Sequence, residues 1–173
     1  MIQQSCGGTG SCIVRGMPNW LYLLANFAYH LGLALWIGGV VALGALTAPA
    51  LFRALPRPEA GALFGSILRR FARLRAVAFL LVVAGAAAKF VGWESHAATP
   101  WLVLRWLSIA ILGVSIVYEI GVQERTMERL RRDLSPEMGE DHPLRRKFGK
   151  YHRSAERLMK VSLVAAATAM FFS

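Results

Sequence analysis

Residues 16–52, GMPNWLYLLANFAYHLGLALWIGGVVALGALTAPALF, carry no formal charge between Arg15 and Arg53. A helix crossing ~30 Å of hydrocarbon needs roughly 20 apolar residues. The stretch from about Trp20 to Ala48 exceeds that length. His30 lies near its middle, ~15 Å in from Trp20 at 1.5 Å per residue. An ionisable side chain at that depth is costly and becomes the first candidate for function.

Composition agrees with life in a bilayer. Of the 173 residues, 55% are hydrophobic and 17% charged, and the mean hydropathy is +0.44. The net charge of +10 comes from two basic blocks, 53–75 and 125–160, each between apolar segments. This is the layout of cytoplasmic membrane loops rather than of a nucleic-acid surface. Cys6 and Cys12 fall in a polar tail, residues 1–18, read as a disordered stub; Met17 is an alternative start. The tail lacks the apolar core of a cleavable signal peptide.

Four spans are expected: about 20–48, 76–93, 101–122 and 158–172, within a domain covering 19–173. Pro49 should kink or end the first. The last is too short alone, but from Pro143 the positions Leu144, Phe148, Tyr151, Ala155, Leu158 and Ser162 form a helical stripe. One helix of about 30 residues is therefore expected there, amphipathic and then apolar, with Asp141 as its cap. Ala60, Leu63, Phe64, Ile67, Leu68, Phe71 and Leu74 make a second stripe, opened by Arg57-Pro58-Glu59. Segment 123–134 extends the third span, with Met127, Leu130 and Leu134 on one side and a Glu128–Arg132 pair. The fold class is all-α: an integral membrane four-helix bundle with amphipathic cytoplasmic helices.

Six Lys/Arg lie in 53–75 and eleven in 123–160, whereas the connection between spans two and three offers only Lys89 and Arg105 at its edges. The basic connections therefore face the cytoplasm and both termini the outside, with a bacterial inner membrane as the expected location. Trp20, Trp93, Trp101 and Trp106 fit an outer aromatic belt, Trp36 being the exception. Lys89 and Arg105 are expected to snorkel to the outer interface.

His30 admits haem ligation, copper chemistry, proton relay or a polar contact; as packing glue it would bond Ser108 or Ser115. His142 and His152 fall in the cytoplasmic region and His96 in the outer loop, so none could join it on a haem. Trp36, Gly38 and Gly39 complete an H-x5-W-x-G-G string. Gly38 and Ala42 form a small-xxx-small pair for close packing, with Gly113, Ser115 and Ala84–Ala88 as counterparts. Tyr118 and Glu119 sit near the cytoplasmic end of the third span, where Glu119 is a candidate cation or proton site. Arg69, Arg70, Arg73, Arg131 and Arg132 are candidates for anionic lipid headgroups. There is no C-x-x-C, H-E-x-x-H, Gly-rich phosphate loop or G-x-S-x-G, so nothing argues for an enzyme.

The segment TAPALFRALPRPEAGALFGSILRRFARL, residues 47–74, resembles the domain-of-unknown-function family 4149, related to the eukaryotic transmembrane protein 205 group. Trp36, Gly38, Gly39, Pro49, Phe52, Ala60, Gly61 and Gly65 match its pattern. FGKYHRSAERL is similar to its last-helix segment, His152 standing at the histidine, Tyr151 replacing leucine and Ser154 one place early. The resemblance implies a small four-span membrane protein and no established activity. AYHLGLALWIGGVV is also similar to the opening of copper-resistance membrane proteins and of cytochrome-b-like protoporphyrinogen oxidases. It lacks their second midplane histidine and methionine-rich motifs. The expected role is non-enzymatic: structural, lipid-binding or interacting, possible as a homo-oligomer. A haem- or copper-linked protein using His30 and a small solute transporter are the alternatives.

Overall fold

The computed structural model describes residues 18–94, 99–133 and 142–173. Those residues are helical almost throughout, with no strand among them. Helix α1 spans Asn19–Val41 and continues through a π-helical turn, Ala42–Thr47, into α2, Ala48–Ala54. Helix α3 is Arg57–Lys89, extended by a π-helical turn to Glu94. Helix α4, Pro100–Tyr118, runs through a third π turn, Glu119–Gln123, into α5, Glu124–Asp133. Helix α6 is Pro143–Phe171.

Three of these continuous helices are long and apolar enough to cross a membrane: Asn19–Ala54, Arg57–Glu94 and Pro100–Met127. Their surface supports that reading. Leu80, Val103, Val114 and Val117 are each at least 65% exposed, while arginine, lysine, serine and tyrosine side chains are buried. A water-soluble domain would invert that arrangement.

Helix α1 packs most closely on α3, and α4 on α6; α1–α6 and α3–α4 contacts close the circuit. Two glycines set the first approach. A Cβ on Gly32 would stand 2.5 Å from the Ala78 carbonyl oxygen, and one on Gly85 would stand 2.6 Å from that of Ala25. Gly39 gives way to the Phe71 ring and Gly113 to that of Phe79. Gly38, expected together with Ala42 to let a neighbouring helix approach closely, would have nothing within 4 Å of an added Cβ. The close approach falls instead at Gly32, six residues earlier, against α3, the helix that carries the Ala84–Ala88 run expected among the counterparts. Tyr29, fully buried, ties α1 to α6 by donating its hydroxyl to the Ala169 carbonyl at 2.7 Å.

Pro49 does not end the first helix, which runs on to Ala54. It sits in the first turn of α2, just after the π turn, where its missing N–H is tolerated. The Thr47 hydroxyl donates to the Ala42 carbonyl across that turn, at 3.1 Å. Helix α3 starts at Arg57 with Pro58 and Glu59 in its first turn, as the sequence predicts. The expected second span, 76–93, is the later part of that one helix. The α6 stripe is also as expected: Leu144, Phe148, Tyr151, Ala155 and Leu158 are half-buried and Ser162 fully so. Its apolar half buries Ala165, Ala166 and Ala169. The N-cap is His142, whose Nδ1 accepts from the Leu144 N–H at 3.3 Å. Asp141, Leu134, His96 and both cysteines lie outside the described residues, as do the side chains of Glu128 and Arg131.

Overpacking against backbone typically costs about 1–3 kcal/mol, whereas Gly→Ala in an open helical position gains up to ~1 kcal/mol. Gly85→Ala should therefore lower the thermal midpoint in detergent, and Gly38→Ala should leave it unchanged or raise it. Equal shifts for the two would contradict glycine-mediated packing of α1 on α3.

Candidate functional site

The chemistry-bearing side chains gather at the two ends of the long helices. At the end bearing the basic blocks, Arg75 is only 3% exposed. It continues the α3 stripe four residues after Phe71, and its guanidinium lies 5.2 Å from the Phe71 ring and 5.4 Å from that of Trp36. Both are cation–π distances. The same guanidinium pairs with Glu119, at the start of the third π turn. Trp36 is fully buried, and neither its indole N–H nor Arg75 Nε has a partner among the described residues. Tyr118 is exposed.

At the opposite end Arg105 is 2% exposed and holds Glu94 in a two-pronged pair, Nη1 donating to Oε1 at 3.0 Å and Nη2 to Oε2. Lys89, also 2% exposed, donates to Asn26 Oδ1 at 3.1 Å and lies over the rings of Tyr29 and Tyr22, 5.2 and 5.9 Å away. Neither cation snorkels outward. Both stand on inward-facing positions, where reaching water would mean leaving the helix interface. Tyr22 meets Trp93 edge-on, and Trp101 stacks on Phe172, so tryptophans do gather at this end.

His30 is half-buried. Its Nδ1 donates to the Asn26 carbonyl at 2.8 Å, and Nε2 shares a hydrogen bond with the Ser173 hydroxyl at 3.0 Å. Ser108 and Ser115, the expected partners, instead donate to Leu104 and Ile111 of their own helix. With both ring nitrogens engaged, ligation of iron or copper would break one of these bonds. No group of three or more His, Cys, Asp or Glu among the described residues could hold a metal. As placed, His30 offers no free ring nitrogen to iron or copper.

Arg69, Arg70 and Arg73 are exposed and line one groove with Ser66, Ala72 and Ile120. A second, on α6, is lined by Arg146, Gly149, Lys150, His152 and Arg153, with His152 stacked on Phe148. Arg132 is exposed on α5. On the solvated flank of α6, the Lys160 ammonium 2.7 Å from Glu156 holds that carboxyl below the usual carboxylate range.

Helices apolar on the outside, with charge paired between them, define a helical membrane protein. Residues 31–134 match the family model described as Domain of unknown function (DUF4149), and the chain belongs to that family. No curated protein and no solved structure matches it.

Sequence reasoning singled out Glu119 and Trp36, for other roles, and did not single out Arg75 or Glu94. The signal for Arg75 was its place on the stripe, which marks it as inward-facing despite the neighbouring arginines. Removing one partner of a buried pair costs about 3–5 kcal/mol, because the other charge is left uncompensated. Glu119→Gln should therefore destabilise the protein strongly, while the double change Glu119→Leu with Arg75→Met should cost much less. Equal losses of thermal stability would show that the pair is not a coupled unit.

Proposed function

We propose that this is a non-enzymatic multi-pass protein of a bacterial inner membrane that binds anionic lipid headgroups with its basic end. The reading has α6 as the fourth span, the basic end in the cytoplasm and both termini outside. What carries it is the groove of Ser66, Arg69, Arg70 and Arg73 beside Ile120, a cationic surface next to lipid-facing apolar residues. Arg146, Lys150 and Arg153 add a second basic surface on the amphipathic half of α6. Guanidinium groups in such a position take phosphate oxygens by charge-assisted, often bidentate hydrogen bonds. Arg131 and Arg132 extend the same basic region in sequence. The buried Arg75–Glu119 pair holds the α3 and α4 walls together beneath the groove.

Each basic side chain near an anionic surface contributes about 1 kcal/mol. Changing Arg69, Arg70 and Arg73 together to Gln should weaken binding of phosphatidylglycerol in nanodiscs by on the order of a hundredfold at low salt. Phosphatidylcholine should discriminate little between the two proteins. Unchanged retention of phosphatidylglycerol by the triple variant would remove the lipid reading. For the orientation, a cysteine introduced at Arg70 should resist an impermeant thiol reagent in intact cells, and one at Glu94 should label. The reverse pattern would invert the topology.

A further inference from the structure

The end of the helices that bears Glu94 has a charge imbalance among its described side chains. Lys89 and Arg105 are each 2% exposed, and Glu94 is the carboxylate beside them. The sequence holds ten acidic residues. Besides Glu94 they are Glu59, at the far end of α3, and eight between 119 and 156, of which Glu119 stands at the far end of α4 and Glu156 in the first half of α6. Residues 1–17 and 95–98 contain no acidic side chain, so neither segment can supply a counter-charge from one.

Glu94 spends both oxygens on the Nη atoms of Arg105. Lys89 is left with one amide oxygen and two ring faces, and Arg105 Nε has no partner among the described residues. An unbalanced positive charge in apolar surroundings is strongly unfavourable. Beside the Glu94 carboxylate, Lys89 Nζ thus has hydrogen-bonding capacity beyond its bond to Asn26, and the wholly buried Arg105 Nε has no partner among the described residues. Tyr22 and Trp93, edge-on with ring centroids 5.1 Å apart, stand at the rim.

We propose that Lys89 and Arg105 form a binding site for one singly charged phosphate group, seated against Lys89 Nζ and Arg105 Nε at the end of the helices opposite the basic groove. Guanidinium and ammonium donors suit tetrahedral oxyanions, the first by direction and the second as a point charge. The group can arrive as the phosphodiester of a lipid headgroup or as free inorganic phosphate. The site is separate from the Arg69–Arg73 groove and stands whether or not that groove binds lipid.

The full-length protein would be examined by native mass spectrometry, once with inorganic phosphate in detergent and once in nanodiscs containing phosphatidylglycerol. The Arg69, Arg70, Arg73 triple-Gln background removes the competing groove. One phosphate-bearing ligand should be retained; retention in nanodiscs alone assigns it to a headgroup, and retention in both arms to an open site. Lys89→Met should reduce retention at least tenfold and Lys89→Arg by no more than twofold. Asn26→Asp provides a second route that preserves side-chain size. It places a carboxylate where Lys89 now meets Asn26 Oδ1, supplies the missing counter-charge internally, and should expel the ligand at least tenfold without loss of thermal stability. Absence of ligand in both arms would mean that the chain tolerates the imbalance or that Lys89 is uncharged, and would overturn the proposal. So would retention by Asn26→Asp equal to that of the parent protein.

Discussion

An arginine held among apolar side chains must meet a carboxylate, and that requirement fixes how α3 and α4 lie against each other. The two helices run antiparallel. Arg75, early in the membrane stretch of α3, reaches Glu119 at the end of α4; Arg105, near the start of α4, reaches Glu94 at the end of α3. The pairs cross in opposite directions and clamp the helices at both ends. The middle of this interface is thin, with the Phe79 ring filling the space left by Gly113. Sliding either helix by one turn would break both pairs together. The α1–α3 interface is fixed differently, by backbone contact at Gly32 and Gly85, where fit rather than charge sets the register.

Both carboxylates sit in π-helical turns, Glu94 closing the second and Glu119 opening the third. A π turn inserts a residue into the helical count and rotates the rest of the helix about its axis. In each case a helix that is apolar on its lipid face delivers a charged side chain inward close to its end. The first π turn has no charge to place; it precedes Pro49 and lets the helix continue to Ala54.

Much of this was legible in the sequence because hydrophobic period and helix punctuation are local signals. The start of α3 at Arg57, the stripe of α6 and the family resemblance all derive from such signals. What was missed depends on angular position. Lys89 and Arg105 look like interfacial residues when judged by distance from the end of an apolar run. Yet the buried set Phe71, Arg75, Ala78, Val82, Gly85, Ala86 and Lys89 proceeds in helical steps, and extending the stripe past the arginines would have turned both Arg75 and Lys89 inward. Gly38 and Ala42 fit the small-xxx-small spacing, but spacing alone does not say which face of the helix meets its neighbour. The partner of His30 was beyond reach, since Ser173 lies 143 residues away and no local pattern links them.

The crossed pairs also bear on the order in which the chain can settle in a bilayer. Glycine contacts let α1 and α3 close on each other as soon as both are made, and Lys89 then meets Asn26, which has already been synthesised. Arg75 has no such earlier partner, because Glu119 comes a whole helix later. Until α4 arrives, the α1–α3 hairpin carries an exposed cation on the flank that α4 will cover. Entry of α4 is thus coupled to neutralising that charge, and a chain truncated before Glu119 would keep a finished hairpin that is ill suited to the hydrocarbon around it.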